Sequence, residues 1–410
     1  MAMTATSGVA EGDGNRNSGA SERSPFGRVT DLLAPYQPGK PLIMLSLGEP
    51  QHPIPAFVGP VLAKNLGDFG RYPLARGTEP FRRAAANWLG TRFRLPRAVD
   101  PDSEILVLNG SREGLFFAAI TAARLAAKPR PAILMPNPFY PAYGAGARAA
   151  GCEQVYLPTT RGNGFLPDLD ALDEATLKRT VAFYIASPAN PQGAVASRDY
   201  FARLKQLADR FGFVVLSDEC YSEIYTRKAP GTMLEAAGPD YRNVVAFQSL
   251  SKRSNLPGMR IGFAAGDKNF LAAFHELRNV AAPQVPVPLQ QVAVAAYSDE
   301  AHVEENRRLY RMKFDLADQI LGSRYGYQRP AGGFCVWLDV SAHGGDEATT
   351  IKLYRDAGVR VLPGSYLARP QTDGFNPGDG YIRLALVQDS ETIAEALHRL
   401  VQTLDNRGVS

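Results

Sequence analysis

The chain has 410 residues, 45% of them hydrophobic and 21% charged, enough to bury a large core and to supply two or three domains' worth of chain. Its 45 Lys and Arg against 41 Asp and Glu give a net charge of +4, spread along the sequence, which excludes a basic stripe for nucleic acid or anionic lipid. Three cysteines without a CxxC pair and five scattered histidines argue against a disulfide framework or a metal-ligand cluster, and a reducing cytoplasm fits.

Residues 1–24 are rich in Gly, Ser, Ala and Asn and lack the continuous apolar core of a signal peptide, so a disordered tail is expected there. No apolar run approaches the roughly 20 residues that cross a bilayer, and a soluble protein is expected. The proline-rich segment 25–60 reads as extended chain that packs elsewhere. From about residue 100, short apolar runs alternate with helical stretches: Ile105 to Leu108 before 111–127, Ala132 to Met135 before 141–150, Val181 to Ala186 before 197–211, then Phe213 to Leu216. Runs without polar alternation, separated by helices, predict a mainly parallel sheet buried on both faces. After Leu289 the texture changes to a long helix over 299–321, a strand ending at Val340, a helix near 346–357, strands at 359–362 and 381–387, and a helix from 390, an α+β unit with its own small core.

In open α/β sheets ligands sit at the carboxyl ends of strands, so the residues after each apolar run are the informative ones. After Leu108 comes Asn109-Gly110-Ser111-Arg112-Glu113-Gly114, with Ser111 placed to cap the next helix; the free N–H groups of that turn can hold a phosphate, and an ordinary cap would explain it equally well. After Ala186, two prolines flank Asn190 and aim its side chain, as a plain turn also would. After Leu216, Asp218 ends an apolar strand and needs a cationic partner: it is either a helix cap or the counter-ion of a protonated ring nitrogen.

Lys252 lies in Ser249-Leu250-Ser251-Lys252-Arg253-Ser254-Asn255-Leu256-Pro257-Gly258-Met259-Arg260, between two apolar strands. In a pocket with cations nearby such an amine deprotonates and can attack an aldehyde; a surface lysine, the commoner fate, explains the surrounding hydroxyls poorly. Arg260 suits a phosphate dianion. Arg383 interrupts the apolar strand Tyr381 to Val387 and should meet an anion, a carboxylate ligand or a structural partner. Together these residues describe one ligand, pyridoxal 5′-phosphate: its phosphate on Ser111, Ser249, Ser251 and Arg260, its ring nitrogen on Asp218, its ring hydroxyl on Asn190 and Tyr221, its aldehyde on Lys252, with Arg112 as a further cofactor-binding candidate and Arg383 left for a substrate carboxylate.

The order Asn190-Pro191, Asp218-x-x-Tyr221, Ser249-x-Ser251-Lys252, Arg260, Arg383 resembles the fold type I, class I/II aminotransferases from about residue 30 to the end. That resemblance implies an α/β large domain with a mainly parallel seven-stranded sheet plus a smaller α+β domain. It suggests boundaries at 25–60 for an N-terminal segment joining the small domain, 61–289 for the cofactor domain and 290–410 for the small domain. It also implies that Tyr140 stacks on the pyridine ring, that Gly48 helps hold the substrate carboxylate, and that Tyr72 reaches the cofactor phosphate of a second subunit, hence a homodimer with shared active sites. The likeness narrows toward the succinyldiaminopimelate aminotransferases of bacterial lysine biosynthesis, which use 2-oxoglutarate as amino acceptor. The segment 280–288 lacks the arginine that binds the distal carboxylate in aspartate-type members, so the hold on the far end of a long acidic substrate is not visible.

Other readings compete. An alanine, aspartate or aromatic aminotransferase, or a carbon–sulfur β-lyase, shares every cofactor residue. A regulator of this fold would need a DNA-binding domain that 24 residues cannot supply. Gly144-Ala145-Gly146-Ala147-Arg148-Ala149 formally matches GxGxxA, but it lies inside a predicted helix, where small residues serve packing better than a dinucleotide.

Overall fold

A computed structural model describes residues 24–406. The chain enters as helix α1 (Pro25–Leu33), which corrects the expectation of extended structure over residues 25–60 at its start. Ser24 caps it, its hydroxyl accepting from the Gly27 N–H at 3.1 Å, and Pro25 occupies the first turn, where a missing N–H costs nothing. Val29 and Leu33 are buried with Trp337, Leu362 and Tyr366 from the other end of the chain. The short strand β1 (Ile43–Met44) follows, then α2 (Val58–Lys64) and α3 (Glu79–Arg92), which buries Phe81, Trp88 and Leu89. The rest of the tail expectation, residues 1–23, lies outside the described residues.

The central sheet has seven strands: β2 (Ile105–Leu108), β3 (Ala132–Asn137), β4 (Glu153–Pro158), β5 (Thr180–Ala186), β6 (Val214–Asp218), β7 (Val244–Ser249) and β8 (Gly262–Gly266), in the order 2-8-7-6-5-3-4. All neighbours run parallel except β8, which is antiparallel to both β2 and β7. Alternate residues of each strand enter separate cores: Ile105, Val107, Leu134, Phe183 and Val215 point to one face, Leu106, Leu108, Ile133, Tyr184 and Leu216 to the other. Burial of both faces is why these strands read as unbroken apolar runs.

Helices α4 (Ser111–Ala126), α5 (Pro141–Ala149), α6 (Glu174–Arg179) and α7 (Arg198–Phe211) connect the parallel strands. The one-turn α8 (Leu250–Arg253) carries Lys252, and α9 (Lys268–Ala281) and α10 (Val287–Ser298) leave the sheet. Beyond them come α11 (Ala301–Leu321), β9 (Cys335–Asp339), α12 (Gly345–Ala357), β10 (Val359–Arg360), β11 (Leu362–Pro363), β12 (Tyr381–Ala385) and α13 (Ser390–Asp405). β12 lies between β11 and β9 in an antiparallel sheet, and β1 pairs with β10. Ile43 and Leu45 share a core with Phe314, Leu338, Leu384 and Leu397, so the first strand of the chain packs with the last elements. No helix among the described residues is long and apolar enough to cross a membrane.

The run 144–149 is helical, within α5, as its small residues suggest. Gly146 faces α4 so closely that a Cβ there would stand 2.7 Å from the Phe116 carbonyl oxygen. Gly146→Val should therefore destabilise the protein by about 1–3 kcal/mol through overpacking. Urea unfolding checks this, and an unchanged midpoint would refute the tight α4–α5 contact.

Candidate active site

Two of the strands end in the residues that matter most, β6 at Asp218 and β7 at Ser249, so the sheet delivers them to one edge. Asp218 accepts from the Tyr143 hydroxyl at 2.7 Å and from the Cys220 N–H at 3.3 Å. Burial pushes its carboxyl above the usual range, and no cationic side chain hydrogen-bonds it among the described residues. A buried carboxylate lacking a cation is a site waiting for one. Tyr143 is itself fixed by stacking on Tyr184, with ring centroids 4.4 Å apart.

The phosphate candidates cluster around the start of α4. Gly110, not Ser111, is the N-cap, at φ 76°, with no side-chain capping bond; Ser111 is the first helical residue, which corrects its expected capping role. The first N–H groups of the helix are thereby left without a side-chain acceptor, the arrangement that suits an anion. The Arg260 guanidinium sits in the space that a Cβ on Gly110 would need. Arg260 adopts a left-handed φ of 52° and, among the described residues, donates to carbonyls alone, of Pro257 at 2.8 Å and Asn109 at 3.4 Å. The Ser249 hydroxyl is buried and donates to the Ser251 hydroxyl at 2.8 Å while accepting the Ser251 N–H, so it also caps α8. Arg112 donates to the Tyr140 hydroxyl at 2.6 Å, which ties the phosphate end to the ring expected to stack on the cofactor.

Lys252 lies at the centre of the site. Its amine donates to the Gly48 carbonyl oxygen and stands 5.1 Å from the Phe334 ring and 6.0 Å from the Tyr221 ring. Burial pushes its pKa down to about 8, and the Arg383 cation acts in the same direction. Arg383 is buried, donating to the Ser46 carbonyl at 2.6 Å and to Asn190 Oδ1 at 3.4 Å, while its Nε has no partner. An orphaned buried guanidinium N–H beside a backbone turn and an amide fits a carboxylate guest.

The structure thus brings together Gly48, Ser111, Arg112, Tyr140, Asn190, Asp218, Tyr221, Ser249, Ser251, Lys252, Arg260 and Arg383. Tyr72 stands apart from them in the single chain, 99% exposed. Sequence reasoning missed Tyr143, which clamps Asp218; its position three residues after Tyr140, on the next turn of chain, was the only signal. It also missed Phe334, which packs edge-on against Tyr221 at 5.1 Å and lies against Gly48. The donor set fits pyridoxal phosphate at every part: an uncapped helix start and an arginine for the phosphate, an unpaired buried carboxylate for the ring nitrogen, and a desolvated amine for the aldehyde.

The sequence profile described as aminotransferase class I and II matches residues 40–400. An LL-diaminopimelate aminotransferase of Desulforudis audaxviator is 33% identical over 383 residues, covering 92% of this chain and 94% of that one. The crystal structure of an aminotransferase from Neisseria meningitidis superposes with a TM-score of 0.88 at 37% identity, over 93% of this chain and 98% of that one. A probable N-succinyldiaminopimelate aminotransferase from Thermus thermophilus gives a TM-score of 0.82 at 27% identity, over 93% and 100% of the two chains. The chain belongs to the class I and II aminotransferases, enzymes that depend on pyridoxal phosphate.

Proposed function

We propose that this aminotransferase takes the amino group of N-succinyl-LL-2,6-diaminopimelate and delivers it to 2-oxoglutarate, within the diaminopimelate route to L-lysine. The observation that carries the chemistry is the desolvated amine of Lys252 beside Arg383, with the unpaired Asp218 carboxylate in the same site. The substrate class is supported by the motifs around Lys252 and Asp218 and by the name of the Thermus structure. A second reading, with free LL-diaminopimelate as donor, is favoured by the names of relatives such as those from Desulforudis audaxviator and Syntrophobacter fumaroxidans.

Pyridoxal phosphate, when bound, supplies an aldehyde carbon for amine exchange and a protonated ring that accepts the electrons of a broken Cα–H bond. Ser111, Arg112, Ser249, Ser251 and Arg260 hold its phosphate, and Asn190 and Tyr221 its ring hydroxyl. The Asp218 carboxylate, desolvated and steadied by Tyr143, keeps a proton at the ring nitrogen. Arg383 and Gly48 grip the α-carboxylate of the donor and so fix which face of Cα meets Lys252. Burial holds the Lys252 amine down to about 8 in the cofactor-free protein, so more of it is neutral near pH 7 than of an ordinary lysine, and the neutral amine can accept the α-proton at its Nζ. The same residues serve the reverse half-reaction on 2-oxoglutarate, whose α-carboxylate is equivalent.

Tyr72 completes the site from a second copy of the chain. Its full exposure, together with Leu74, Leu66 and Phe69, which are all more than half exposed, leaves an apolar surface that a partner would cover. The homodimer therefore shares its active sites across the interface.

Lys252→Ala should abolish turnover while leaving the fold intact. Mixing the holoenzyme with each diaminopimelate donor and 2-oxoglutarate, and measuring glutamate, tests the substrate: faster release from the N-succinylated donor is expected, and release from the free donor alone would transfer the assignment to the second reading. In the cofactor-free protein, the lowered Lys252 pKa means that the unfolded chain holds more protons than the folded one between pH 8 and 10.5. Below pH 8 the charged amine is therefore a full burden on the fold, lifted as pH rises through that window. Lys252→Met should stabilise the cofactor-free protein by about 1–2 kcal/mol at pH 7, after allowing for partial solvent screening, and by almost nothing near pH 10.5. Denaturant titrations at the two pH values measure the difference.

A further inference from the structure

A chain of buried polar groups outside the substrate contacts runs to the backbone of Lys252. Lys313 on α11 is almost fully buried and forms no ion pair among the described residues. Its ammonium donates to His52 Nε2 at 2.6 Å and to the Val387 carbonyl at 3.2 Å. Because Nε2 accepts, the ring proton of neutral His52 resides on Nδ1, which faces Asn306 Oδ1 at 2.6 Å. That bond in turn fixes the Asn306 amide, whose nitrogen donates to the carbonyls of Lys252 at 3.1 Å and Arg253 at 3.3 Å. Each link sets the direction of the next, and no other orientation satisfies all of them.

The ends of this chain lie in the segments that carry the substrate contacts. His52 follows Gly48 by four residues and Val387 follows Arg383 by four, while Asn306 grips the one-turn helix that bears Lys252. The His52 ring also packs on Tyr310, centroids 4.6 Å apart, and Tyr310 stacks on Phe334, the ring beneath the Lys252 amine. Around His52 stand Lys313, Asn306 and Tyr310 from α11, with Glu305 the acid acting on it; Asp389 is the acid acting on Lys313. Burial holds the Lys313 amine down to about 8 and His52 below its ordinary value, so at neutral pH the relay carries one charge, on Lys313.

We propose that Lys313, His52 and Asn306 form a positioning relay that locks the backbone of Lys252 in register with the two carboxylate-binding segments. The relay rests on the assignment of Lys252 as the reacting amine, and it touches neither substrate nor cofactor. Its role is to hold the amine where the α-proton will be.

The test uses the full-length holoenzyme. His52→Leu should lower kcat about tenfold, the scale of one lost net hydrogen bond, with cofactor content and the KM of the amino donor within about twofold of the parent. The pH at which the bound cofactor changes its absorbance, which reports directly on Lys252, should move by about half a unit or more. His52→Gln, whose amide N–H can still reach Asn306, should recover most of both. Should His52→Leu not fold, Lys313→Met carries the same expectations from the far end of the relay. A parental kcat and absorbance midpoint in the variant, or a loss that His52→Gln fails to relieve, overturns the relay. Lys252→Ala run alongside separates the two ideas: if it is inactive while the relay variants behave as the parent, only the relay falls.

Discussion

Desolvation of two opposite charges at one edge of the sheet is the constraint on which this structure turns. Lys252 and Asp218 are both partly buried and shifted by desolvation, and no ion pair joins them among the described residues. An isolated buried charge is expensive, and the usual resolution is a neighbour of opposite sign. Here the amine is met by the Gly48 carbonyl and the carboxylate by a tyrosine hydroxyl and the N–H and thiol of Cys220, none of which carries a neutralising charge. Under the proposed assignment, a cationic ring nitrogen on Asp218 and an aldehyde on Lys252 would relieve both at once.

A second feature is that the buried Arg383 is held by chain segments far apart in sequence. The N-terminal segment joins the C-terminal sheet through backbone bonds, Leu45 N–H to the Arg360 carbonyl at 2.9 Å and Ala385 N–H to the Leu45 carbonyl at 2.7 Å. Arg383 then reaches across to the Ser46 carbonyl and to Asn190 at the end of β5. The guanidinium therefore senses three pieces of chain together, and its Nε has no partner among the described residues.

The sequence made the central sheet legible because strands buried on both faces leave an unambiguous signal, apolar runs such as Ile105 to Leu108 ending in polar residues. The site was legible for the same reason, since Asp218, Ser249 and Asn190 each follow such a run. What sequence reading missed depends on contacts across long separations. α1 was hidden by a local density of prolines, although Pro25 at a first turn and Ser24 before it favour a helix start. Ser111 looked like a cap because its residue type prefers that position, yet Gly110 takes it, where the φ of 76° and the close Arg260 side chain both demand glycine. The bonds from His52 to Asn306 and Lys313 span 254 and 261 residues, and no local pattern announces them.

Asp218 and its neighbour Glu219 differ in burial and in hydrogen bonding: Glu219 is fully buried, whereas Asp218 keeps partial exposure at the sheet edge. Both sit at the end of β6 and both are pushed upward by desolvation, Glu219 to about 7. Glu219 collects four donors: the hydroxyls of Ser217 and Thr232, the Met233 N–H and the Gln248 amide, all within 2.8–3.0 Å. It closes a network that ties the strand end to β7 and the loop beyond it, and nothing in that network is left to bind. Asp218 accepts from the Tyr143 hydroxyl and from the Cys220 N–H and thiol, fewer and weaker donors than those of Glu219. The adjacent pair thus differs in hydrogen-bond satisfaction, and the less saturated carboxylate, Asp218, keeps the capacity to accept from a cationic group.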